Sequence, residues 1–149
     1  MENFKLEIFE SENNGSRLEF EKVEASEFKI VSEKILVLLK RKTFEEFGKF
    51  FIEVDNNLDQ SLNFENLDDL NGIINLIDNT ISGEQDCYII WNYPSRIDKV
   101  QLNYLIDNWL SFWYPESDEA IVLLLPDSDL IILLTDYGLV KFTKLTLSE

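Results

Sequence analysis

The chain has 149 residues, 45% of them hydrophobic, with 29 acidic against 13 basic side chains and a formal net charge of −16. This length suits one domain that buries a core unaided, and the hydrophobic content excludes a chain too polar to fold. Histidine is absent and Cys87 is the single cysteine, which removes Ser-His-Asp and Cys-His catalysis, a thiolate zinc site and any intramolecular disulfide.

Phe4, Leu6 and Ile8 alternate with charged residues, as do Leu18 and Phe20, and the turn-forming Asn13-Asn14-Gly15-Ser16 lies between them. This pattern predicts an N-terminal hairpin. No basic segment followed by an apolar stretch opens the chain, so a cytoplasmic location without a secretory signal is expected. Phe28, Val31, Ile35, Leu38 and Leu39 fit a helix, while Lys34 to Leu39 alone also fits a buried strand; helix is preferred. Thr43 with Glu46 has the form of a capping box, followed at helical spacing by Phe44, Phe47, Phe51, Val54 and Leu58.

Asp55-Asn56-Asn57-Leu58-Asp59 superficially suggests a calcium loop, but Gln60 and Asn66 stand where such a loop needs glycine and glutamate. An acidic loop ending the helix is the better account. Leu67, Leu70, Ile74, Ile77 and Ile81 form the clearest helical stripe, opposite Asp68, Asp69, Asn71, Asn75 and Asp78, with Gly83 placed for a left-handed terminus. Asp86 to Trp91 reads as a strand broken by Tyr93-Pro94. Ser95 and Asp98 predict a capped helix running to Trp113, with Leu102, Leu105, Ile106, Trp109 and Trp113 inward.

Three β runs follow, 119–125, 129–135 and 138–145, separated by the short turns at 126–128 and 136–138. Short connections predict an antiparallel meander, and strands apolar at nearly every position require cover on both faces. The third run alternates, with Lys141 and Lys144, and reads as an edge strand. The expected architecture is a single α+β domain over 1–149: a meander with the 86–91 strand, packed against several helices.

The charge is unevenly placed. Residues 1–49 carry 11 acids and 9 bases, whereas 50–140 carry 17 acids against only Arg96 and Lys99. Such a field disfavours nucleic acid and anionic membrane and attracts cationic proteins. No apolar run approaches the ~20 residues that span a bilayer. The acids nominated for partner contact are Asp55, Asp59, Asp68, Asp69, Glu116, Asp118, Glu119, Asp127 and Asp129, and the aromatics are Trp91, Tyr93, Trp113 and Tyr114. For the Asp127-Ser128-Asp129 pair a hairpin tip is preferred to a metal site. No cofactor motif is present.

In charge, size and the acid-aromatic stretch Trp113-Tyr114-Pro115-Glu116-Ser117-Asp118-Glu119, the chain resembles the immunity proteins of bacterial toxin systems, including those of contact-dependent inhibition. Many of these are acidic and neutralise a basic nuclease toxin by covering its active site. The resemblance implies a non-catalytic protein that binds a basic toxin domain, existing as a monomer or weak homodimer. An adaptor domain for another protein, or a carboxylate- and metal-dependent hydrolase, are the alternative expectations.

Overall fold

The computed structural model describes residues 1–40, 50–58, 60–63, 67–92, 96–114, 118, 120–136 and 138–144. Its strands are β1 (Glu21–Lys22), β2 (Gln60–Asn63), β3 (Asp86–Asn92), β4 (Arg96–Gln101), β5 (Ala120–Leu125), β6 (Leu130–Thr135) and β7 (Leu139–Lys144). They form one sheet in the order β1-β4-β3-β5-β6-β7-β2, with every pair antiparallel. The described helices are α1 (Asn3–Glu12), α2 (Ala25–Leu38), α3 (Phe50–Asn57), α4 (Leu70–Ile77), α5 (Leu102–Asp107) and α6 (Trp109–Phe112). The fold is α+β, as the sequence predicts.

Apolar side chains at successive positions of β5 and β6 point to opposite faces, so each face needs its own layer. Ile89, Leu123, Leu125, Ile132 and Val140 pack with residues of α1, α4, α5 and α6. Tyr88, Ile90, Val122, Leu124, Ile131 and Leu133 pack with α2 and α3 on the other side. The β5–β6 turn is a 3-10 turn, Pro126–Ser128, closed by Asp129 in the left-handed conformation at φ 50°.

The predicted helix over 28–39 forms as α2, and the stripe from Leu67 contributes α4, capped by Asp69 accepting from the Gly72 amide at 2.9 Å. Gly83 does not terminate that helix. α4 ends at Ile77, and Gly83 instead lets the Asn103 side chain pass where a Cβ would lie 1.7 Å from Asn103 Oδ1. The Thr43-Glu46 cap, Phe44 and Phe47 lie outside the described residues.

Three expectations are overturned. The N-terminal hairpin is the helix α1: Lys5 and Phe9, one turn apart, face inward, and Asn14 and Gly15 at positive φ end a helix rather than join strands. The Gly15 amide donates to the Glu10 carbonyl at 2.9 Å, satisfying a terminal acceptor. The helix predicted from Ser95 is strand β4 up to Gln101, since Ile97 and Val100 pair with Ile90 and Cys87. Helix begins only at Leu102, where the Gln101 side chain accepts from the Tyr104 amide, and it is interrupted at Asn108. Finally, β7 is not an edge, because β2 covers it from Gln60↔Phe142 to Asn63↔Leu139. Its lysines are tied inward, Lys141 to Asp55 at 2.5 Å and Lys144 to Asp78.

Two local consequences are measurable. Tyr88 donates to Glu27 at 2.5 Å and Lys99 reaches the same oxygen at 3.1 Å. The Tyr88 hydrogen bond, with the Lys99 charge, holds Glu27 below its ordinary value of 4.5. A lowered carboxylate contributes stability above its unfolded value and loses it as pH falls through the folded one. Tyr88→Phe therefore destabilises the chain by about 1 kcal/mol at pH 7, and urea titrations of the two proteins converge as pH falls through the lowered Glu27 value.

Cys87 is fully buried, and burial followed by the neighbouring Asp86 charge pushes its thiol far up. Native protein is expected to react with a thiol reagent only at the rate of its unfolding. Rapid stoichiometric labelling without denaturant contradicts this placement.

Candidate functional site

Phe112 to Tyr114, Asp118 and the end of β3 create a pocket of aromatic faces and carboxylates. The Tyr114 amide donates to Asp118 Oδ2 at 2.8 Å, and the Asp118 amide returns a bond to the Tyr114 carbonyl at 2.7 Å. This closed loop aims the Asp118 carboxylate inward. Trp91 Nε1 donates to Asp98 at 2.9 Å, fixing the indole ring beside it.

Into this pocket reaches Lys5, whose side chain is fully buried. Its ammonium lies 2.6 Å from Asp118 and donates to the Phe112 carbonyl at 2.9 Å. The Trp91 ring centroid is 4.1 Å away, Tyr114 5.4 Å and Phe4 5.9 Å. Buried Asp98 also receives the Met1 α-ammonium, at 2.8 Å, so residues 1–5 are laid across the end of β3 by two ion pairs.

A second feature lies at the far end of α1. A groove of ≈ 460 Å³ runs between Glu12, Asp68 and the α5–α6 junction, with Phe9 and Trp109 in its walls. Glu12, Asp68 and Asp107 give it three carboxylates, and among the described residues no lysine or arginine lines it. Leu110 stands on its rim, 60% exposed. Tyr114 connects the two features: burial, then the charges of Glu12 and Asp118, push its hydroxyl above the ordinary value of 10.0.

The nominated residues divide accordingly. Trp113 lies in the core, 1% exposed and stacked on Trp109 at 5.9 Å, and offers no surface in this conformation. Asp118 is buried on Lys5, while Asp55 and Asp129 are engaged by Lys141 and Lys34. Trp91 and Tyr114 are half-buried around Lys5. Asp68, Asp69 and Asp127 are exposed, Asp69 as a helix cap. Asp59, Tyr93, Glu116 and Glu119 lie outside the described residues. Sequence reasoning missed Glu12, Asp107 and Leu110, which become neighbours only because α1 packs on α6.

Among the described residues no three or more Cys, Asp or Glu side chains are grouped so as to hold a metal ion. No described helix is long and apolar enough to cross a membrane. No protein-family model, curated protein or solved structure matches the chain.

Proposed function

We propose that this chain is a binding protein for a basic protein domain, acting as an immunity protein that neutralises a cognate toxin, a nuclease by its expected charge, through occlusion of the toxin's active site. The observation that carries the reading is the groove that gathers the carboxylates of Glu12, Asp68 and Asp107 beside the exposed apolar side chain of Leu110. Protein interfaces combine an apolar anchor with a charged rim, and the rim mainly governs encounter rate and partner choice.

The internal ion pairs add to this reading. Lys99 of the acidic portion, and Lys141 and Lys144 just beyond it, are matched to Glu27, Asp55 and Asp78, so these cations are committed within the fold. A basic active site that normally holds phosphate would find carboxylates in place of phosphates and an apolar side chain to exclude water. In this reading the chain performs no chemistry of its own.

A neighbouring gene is expected to encode a large secreted protein ending in a small basic domain, and the test uses that domain. Stopped-flow mixing is expected to give a one-to-one complex with an association rate falling steeply between low and high salt. Absence of a complex, or a rate indifferent to salt, rejects the reading.

A further inference from the structure

Most of the groups that surround the buried Lys5 ammonium do not depend on the helix carrying it. Asp118 is aimed by its paired hydrogen bonds with Tyr114, the Phe112 carbonyl belongs to the end of α6, and the Trp91 ring is fixed through Asp98. Phe4, the most distant ring, comes from α1 itself, and the Glu2 carboxylate, 3.7 Å from the ammonium at the helix N-cap, moves with it. The walls formed by the other groups persist if α1 lifts away.

One carboxylate, one carbonyl and the faces of a tryptophan and a tyrosine are the chemistry that recognises an ammonium ion. As a plain fastening the arrangement is inefficient, because a buried ion pair gives less net stability than apolar side chains of equal volume. Besides the Met1–Asp98 ion pair the helix has few other anchors: of its ten residues only Lys5 and Phe9 are buried, while Phe4 and Ile8 are more than a third exposed.

We propose that the pocket of Trp91, the Phe112 carbonyl, Tyr114 and Asp118 is a binding site for a primary alkylammonium group, filled in the free chain by Lys5 and open to a lysine of a basic partner once α1 is displaced. Entry of a partner lysine rests on the proposed binding function; recognition of the ammonium group does not.

The probe is n-propylammonium, which restores the atoms removed by Lys5→Ala. That variant is expected to show a saturable rise in melting temperature and a change in tryptophan emission, with a dissociation constant on the order of millimolar. Adding Asp118→Asn abolishes the response, and isosteric n-propanol fails to reproduce it. No saturable response, or an equal response to n-propanol, overturns the site.

The wild-type chain supplies a measurement independent of how the variant folds. If the ion captures the vacated pocket, amide exchange across residues 3–12 accelerates by one plus the ratio of ligand concentration to dissociation constant, roughly tenfold at ten times that constant. Exchange unaffected by the ion overturns displacement. With the basic domain bound, faster exchange of the α1 amides supports lysine entry. Tight binding with α1 protection unchanged overturns that entry and leaves the proposed function standing.

Discussion

Asp118→Ala is expected to lower the unfolding free energy by about 3–5 kcal/mol, because it leaves the Lys5 ammonium buried without its close, buried counter-ion. The Phe112 carbonyl and the aromatic faces of Trp91 and Tyr114 remain but carry no formal charge. The Glu2 carboxylate, 3.7 Å away and about a third exposed, is a weaker, solvent-screened substitute. The same change removes the acceptor for the Tyr114 amide, so the loop from Phe112 loses its closure. Urea unfolding is expected to show a lower midpoint with the slope unchanged, the mark of an effect on the folded state rather than on denatured compactness.

The double variant Lys5→Met/Asp118→Leu separates charge burial from packing. Exchanging both ions for apolar side chains of similar volume removes the desolvation penalty together with the attraction, and is expected to restore most of the lost stability. A double variant as unstable as Asp118→Ala alone would assign the loss to packing. Asp98 is a useful contrast, since it is buried with two donors, the Met1 ammonium and Trp91 Nε1.

The elements legible in the sequence are those whose burial is set by their own apolar pattern. β5 and β6 are apolar at nearly every position because helices cover both faces, and α2 and α4 carry stripes at helical spacing. The misread elements take their conformation from neighbours. β4 reads Arg-Ile-Asp-Lys-Val-Gln, a helix-compatible string held extended by pairing with β3 and by the buried role of Asp98.

β2 is polar and only four residues long, so its assignment comes from β7 alone. In α1 a period of two across Phe4, Leu6 and Ile8 concealed that the inward residues are Lys5 and Phe9, and no sequence rule places a lysine in a core. The site was legible in composition but not in position. Trp91, Tyr114 and Asp118 do gather, yet around a lysine 113 residues away from Asp118 in the chain. The uneven charge directs attention to the acidic portion, whereas Glu12 enters the groove from the balanced first third.

Reversing two charges in that groove, Asp68→Lys with Asp107→Lys, is expected to slow association with the basic domain roughly 10–100-fold at low salt. Both residues are exposed, and Asp107 is the last residue of α5, where a lysine suits the negative end of the helix better than an aspartate. The variant should therefore keep its fold, checked by its melting temperature. The same change of net charge placed at exposed Glu33 and Glu84, which do not line the groove, separates local from overall attraction. If the groove is the contact surface, the control pair slows association only a few-fold, and the rates of all three proteins converge as added salt shortens the screening length to ~3 Å at 1 M. Equal slowing by both pairs would show that the whole acidic field steers the partner and that the contact lies elsewhere. A groove variant that also dissociates faster would place its carboxylates within the bound interface, since rim charges act mainly on encounter and buried contacts on escape.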